Sequence, residues 1–87
     1  MTNKEKHQAI NREFCERYEN DFDIDDEMGG RLILIPFECD GNINDNSIEY
    51  HQSRHTIDCY NEASPATKEF AADMELFIEE LMKQYGL

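Results

Sequence analysis

Basic residues are scarce in this sequence: eight lysines and arginines stand against twenty aspartates and glutamates, a formal net charge of -12 over 87 residues. A surface so negative repels nucleic acid and anionic membrane, so direct binding to either is not expected, and the expected partner is cationic. Long apolar runs are missing as well. The longest, LILIPF at 32 to 37, falls far short of the roughly 20 residues that a membrane helix requires. The opening MTNKEKHQ has no apolar segment of the signal-peptide kind, so the expected location is the cytoplasm. Cysteine occurs three times, at Cys15, Cys39 and Cys59, an odd number without C-x-x-C spacing. That suits reduced thiols rather than a disulfide framework.

Catalytic punctuation is also absent. There is no G-x-S-x-G, no Walker A and no G-x-G-x-x-G run. His7 and Cys15 lie eight residues apart in a helical pattern, about 12 Å along the axis, too far to act as base and nucleophile. Carboxylates are so numerous that proximity between two of them says nothing about acid–base work. No enzyme is expected, and no cofactor.

What the sequence does contain is a small amphipathic framework. At this length the chain reads as one domain, 1–87, of marginal stability. Thr2 with Glu5 forms a capping box, and Ile10, Phe14 and Tyr18 then recur every fourth position, which predicts a helix from 3 to about 20. Its four basic and four acidic residues cancel, so all the excess charge lies beyond residue 20. RLILIPFEC from Arg31 reads as a strand apolar on both faces, with Pro36 requiring an edge position or a bulge. DGNINDN at 40 to 46 is a turn cluster. Beyond it Ile48, Tyr50, Ile57 and Tyr60 alternate brokenly, which fits one bent strand or two short ones. Ser64 as N-cap, Pro65 at the first helical position, an apolar stripe through Phe70, Met74, Phe77, Ile78, Leu81 and Tyr85, and Gly86 as the stop define a last helix. The expected fold is α+β in the order αββ(β)α, a two- or three-stranded antiparallel sheet with both helices on one face.

The stretch DFDIDDEMGG at 21 to 30 raises three readings. A calcium loop needs glycine at its sixth position and glutamate at its twelfth, and neither register here supplies them. A solvated link is the plain alternative, with Gly29 and Gly30 at positive φ and Phe22 and Ile24 anchored in the core. In an extended chain, however, Asp21, Asp23 and Asp25 share one side about 6.7 Å apart, near the spacing of backbone phosphates. Asp26 and Glu27 continue the acidic stretch along the chain. On the last helix Glu69, Asp73 and Glu80 flank the stripe beside an outward Leu76, with Glu75 and Glu79 on the other flank. An apolar anchor rimmed by carboxylates suits a basic protein that docks there. On a continuous strand His51, His55 and Cys59 would lie about 13 Å apart, too far to share a zinc; if QSR is instead a tight turn that sets His51 and His55 face to face, a structural zinc still lacks further ligands, so no metal is expected.

In size and charge alone the chain is similar to acidic nucleic-acid mimics such as anti-CRISPR proteins and uracil-DNA glycosylase inhibitors; no residue carries over from them. That similarity implies a decoy, of viral or mobile-element type, for the nucleic-acid channel of a basic protein. The expected contacts are Asp21, Asp23, Asp25, Asp26, Glu27, Glu69, Asp73, Leu76 and Glu80. A second reading is an antitoxin or immunity protein against a basic nuclease. A third is a homodimer or assembly subunit joined at Leu76 and Met82, its charge serving solubility alone.

Overall fold

The structure, a computed structural model, describes residues 1–27 and 29–87. Its first helix, α1 (Asn3–Tyr18), opens on the reciprocal cap read from the sequence: the Glu5 N–H donates to Thr2 Oγ1 at 3.1 Å and the Thr2 N–H to the Glu5 carboxylate at 2.9 Å. The Thr2 backbone bond holds the Glu5 carboxyl below its usual range. Ala9, Ile10, Phe14 and Tyr18 form its buried stripe. Four strands follow, β1 (Phe22–Glu27), β2 (Arg31–Pro36), β3 (Ile48–His51) and β4 (Thr56–Cys59), and then α2 (Pro65–Tyr85). Ser64 caps the start of α2, and Gly86 at φ 73° ends it in the left-handed region that a side chain resists.

The strands form one antiparallel meander in the order β1-β2-β3-β4. Period-two alternation sends Phe22, Leu32, Leu34, Ile48, Tyr50 and Ile57 to one face. There they form a single core with Phe14 and Tyr18 of α1 and Ala71, Met74 and Ile78 of α2. Phe14 stacks on Tyr50 with ring centroids 4.1 Å apart, and Phe22 meets Phe70 edge-on at 5.1 Å. Both helices therefore cover the same side of the sheet, and the fold is α+β, with order αββββα. Among the described residues no helix is long and apolar enough to cross a membrane.

The sheet has four strands where the sequence suggests two or three. The added strand is the acidic stretch itself. Aspartate disfavours strands, but Phe22 and Ile24 take the inward positions opposite Pro36 and Leu34, and core burial outweighs local preference. Gly29 and Gly30, at φ 86° and 76°, turn the chain back into β2. A second point, left open by the sequence, lies at 51 to 55, where the chain turns between two short strands rather than bending one: the His55 N–H donates to the His51 carbonyl at 2.7 Å, and His55 itself sits at φ 55°.

A further difference concerns β2. It is central rather than an edge, and it carries no bulge next to Pro36. The Phe37 N–H donates to the Asp21 carbonyl, so the pair 21/37 is hydrogen-bonded, and in antiparallel pairing such pairs alternate. Pro36, opposite Phe22, falls in a non-bonded pair with its ring nitrogen turned away from β1. On that side the last β2–β3 partners are Leu34 and Ile48, so the missing N–H breaks no ladder bond. Nor is β2 buried on both sides. Ile33 and Ile35 remain half-exposed because both helices are committed to the other face.

The turn cluster folds around Asn46, which is buried. Its Nδ2 donates to the carbonyls of Asp40 and Asn42 at 3.0 and 2.8 Å. Its Oδ1 accepts from the Ser64 N–H at 2.9 Å and the Thr67 hydroxyl at 2.7 Å. One side chain thus ties the 40–46 loop to the first turn of α2.

Candidate functional site: the helix-free face of the sheet

The strand phases that bury Phe22, Leu34 and Tyr50 send their neighbours to the uncovered face. Asp23, Asp25 and Glu27 project there from β1, Arg31, Ile33 and Ile35 from β2, Glu49 and His51 from β3, and Thr56 and Asp58 from β4. The registers align Asp25, Ile33, Glu49 and Asp58 in one row across all four strands, and Glu27, Arg31, His51 and Thr56 in the next. A half-exposed isoleucine pair thus runs down β2 between an acidic edge and a mixed one. A shallow groove beside Ile33, walled by Ser47, Glu49, Asp58, Cys59 and Tyr60, extends the apolar strip.

The carboxylates of this face differ in their company. Arg31 Nη1 donates to Glu49 at 2.8 Å, and His51 Nε2 lies 3.0 Å from Asp58 and 4.0 Å from Glu49. Among the described residues no basic nitrogen lies within 4.0 Å of Asp23, Asp25 or Glu27. Glu49, His51 and Asp58 present three ligand atoms within 4.8 Å of one another, a donor set of metal-binding type. These atoms are matched among themselves and to Arg31, so the network reads as a hydrogen-bonded cluster built on the Arg31–Glu49 ion pair.

Of the residues singled out by sequence, Asp23, Asp25 and Glu27 come together on this face. Asp26 occupies the inward phase opposite Leu32 but is exposed at the end of the strand. Asp21 stands in the turn before β1, its carbonyl bound by Phe37 and its side chain at the rim of a groove with Phe22, Phe37 and Phe70. Glu69, Asp73, Leu76 and Glu80 share the exposed side of α2, across the sheet from the β1 acids, so the two rows do not build one surface. Leu76 is 62% exposed. Asp73 is matched internally: it accepts from the Tyr18 hydroxyl at 2.6 Å and lies 3.7 Å from Arg17. Burial, reinforced by that bond, pushes the Tyr18 hydroxyl well above its ordinary value. Met82, the other residue of the dimer reading, is partly buried against the core.

The turn at 52–55 separates the two histidines. His51 lies on the open face and His55 on the helix side, where its ring lies edge to edge with that of His7, nearly coplanar, with centroids 4.9 Å apart. His7 Nδ1 and His55 Nε2 are 2.6 Å apart, and His55 Nδ1 lies 2.7 Å from the Tyr50 hydroxyl, which donates to Asn11 Oδ1. If Tyr50 gives its proton to Asn11, His55 Nδ1 must be the donor toward Tyr50, and Nε2 accepts from His7. Burial, then the neighbouring His7, lowers the His55 pKa, while burial raises that of Tyr50. No pattern in the sequence connects residues 7, 11, 50 and 55. Cys15, Cys39 and Cys59 are free thiols, and burial raises the pKa of Cys15.

Sequence reading also passed over the open-face role of Ile33, Ile35, Glu49 and Asp58. The signal was available in part, since Glu49 and Asp58 alternate with the buried Ile48, Tyr50 and Ile57. Comparison of the chain with known protein families, with curated proteins and with solved structures finds no match.

Proposed function

We propose that this chain is a small acidic binding protein that docks on the cationic, nucleic-acid-binding surface of another protein and blocks it by occupancy and charge, without chemistry. The observation that carries the reading is the arrangement of Asp23, Asp25 and Glu27: aligned on one strand, facing solvent, unmatched by any base among the described residues, and bordering the half-exposed Ile33 and Ile35. Carboxylates that need partners beside apolar surface that needs covering make a patch fit for a basic protein with an apolar centre. Asp26 and Asp21 lie at its border. The α2 row of Glu69, Leu76 and Glu80 is a separate surface, weaker because Asp73 already serves Tyr18 and Arg17.

The test is recovery of the partner from the native host at low and high salt, identified by mass spectrometry, with wild type beside a triple variant, Asp23→Asn, Asp25→Asn and Glu27→Gln. The reading expects a basic protein that is retained by wild type, released by salt, lost with the triple variant, and unable to bind nucleic acid while complexed. Retention unchanged by the triple variant defeats it.

A further inference from the structure

The outer edge of β1 differs from the edges that proteins ordinarily leave open. Unpaired strand edges are usually blunted by charged side chains (lysine above all), proline, a bulge or a covering element, because their free N–H and C=O groups recruit other strands. β1 is guarded by charge of one sign alone: Asp23, Asp25, Asp26 and Glu27 repel another acidic strand but not a basic one, while it has no lysine or proline and its register with β2 runs without a bulge through consecutive partners from Phe22/Pro36 to Glu27/Arg31. At the other side of the sheet β4 has four residues and is packed on by α2.

The register also shows which groups are available. With Asp21/Phe37 hydrogen-bonded, the pairs at Asp23, Asp25 and Glu27 turn their main-chain groups inward to β2. Phe22, Ile24 and Asp26 therefore turn theirs outward, to where no strand lies among the described residues.

We infer that an extended segment of the cationic partner adds to this edge as a fifth strand, held by the outward main-chain groups of Phe22, Ile24 and Asp26; the inference rests on the docking function proposed above. Charge decides the occupant. A second copy paired antiparallel would set the β1 acids against their own counterparts, and like charges directly opposite are destabilising. A strand with arginine or lysine at alternate positions meets the opposite condition. Its basic side chains fall beside Asp23, Asp25 and Glu27, on the non-hydrogen-bonded positions of the new pairing, where facing residues approach most closely, Cα to Cα about 4.5 Å. Its intervening apolar residues follow the phase of Phe22 and Ile24. Such strand addition draws affinity from the main chain and selectivity from alternate side chains.

The experiment uses a fluorescent ten-residue peptide of alternating arginine and valine, and the same peptide N-methylated at its valines, whose N–H groups face β1 in this register; methylation keeps every side chain and charge but blocks that pairing. Binding to the full chain is read by anisotropy. N-methylation should weaken binding at least about tenfold, a difference of about 1.4 kcal/mol. Asp26→Pro removes an outward N–H without touching the β1–β2 ladder; it should weaken the unmodified peptide about tenfold, whereas Asp26→Asn, which removes only the charge, should weaken it less than about threefold. Equal binding of both peptides, with loss on Asp23→Asn, Asp25→Asn and Glu27→Gln, overturns strand addition while leaving charge-led docking in place. Binding indifferent to that triple variant overturns the docking function itself. A dimer of the chain alone, abolished by Asp26→Pro in sedimentation, overturns the choice of occupant.

Discussion

On the helix side of the sheet, polar side chains that are buried have partners: Asn46 serves four groups, Tyr50 and His55 serve each other, Asn11 and His7, and among the described residues no buried side-chain nitrogen or oxygen is left without one. On the open side, five carboxylates stand around two half-exposed isoleucines, and among the described residues no basic group lies within 4.0 Å of the three on β1. Matched polar groups on one face hold the fold together. Unmatched ones on the other are tolerated because water solvates them, and they are what a partner would meet.

If that division holds, substitutions on the two sides should act in opposite directions. The largest effect is expected at Asn46→Ala, which strands two carbonyls, an N–H and a hydroxyl at the junction of the 40–46 loop and α2. It should destabilise by about 3 kcal/mol and lower the melting temperature by about 15 °C. A loss under about 1 kcal/mol would mean that the loop re-forms its bonds without the amide.

The next effect is pH-dependent and belongs to the histidine pair. His55 is neutral in the folded state because its pKa is lowered by burial and by His7. The unfolded chain therefore binds more protons there. The associated stability is complete above the unfolded imidazole value of about 6.5 and is lost as pH falls from there through the folded value. With His55 Nε2 accepting from His7 Nδ1–H, a proton added to Nε2 would set N–H against N–H across 2.6 Å. Glu75 of α2 and Asp58 of β4 border the same groove as His55, and protonating carboxylates on so acidic a chain relieves repulsion, a contribution of opposite sign. Subtracting the melting curve of His55→Asn, a residue that accepts the left-handed conformation, isolates the imidazole. A flat difference between pH 7.5 and 5 contradicts the pair's role.

On the open face the sign should reverse. Changing Asp23 and Asp25 to Asn and Glu27 to Gln should leave the fold intact and stabilise it by about 0.5 kcal/mol at low salt, a gain that fades once the Debye length falls to a few ångströms near 1 M. Destabilisation there would show that these carboxylates are matched in the fold after all. The smallest effect is expected at Leu76→Ser on the outer side of α2, within about 0.5 kcal/mol of wild type by chemical denaturation. A larger loss, together with concentration-dependent melting, would point to a covered leucine and hence to self-association.

The parts of this protein that could be read from its sequence are those governed by neighbours along the chain. The Thr2/Glu5 box, the Ser64–Pro65 start and the Gly86 stop bracket two helices because capping joins residues within three or four positions. The stripes Ile10, Phe14, Tyr18 and Met74, Ile78, Leu81 mark their buried sides for the same reason. The negative charge is likewise a property of composition, and the cationic partner proposed here is argued from it.

Tertiary pairing decided the rest. Asp23 and Asp25 belong to a strand only because Phe22 and Ile24 find Pro36 and Leu34 across the turn and Phe14 and Tyr18 above. Pro36 sits in a central strand only because the register directs its ring to the side where β3 has ended. His7 and His55, forty-eight residues apart, meet because a tight turn brings one to the first helix. Which carboxylates are matched, which stand alone and which edge is left unpaired follow from contacts between distant residues, and local periodicity carries no record of them.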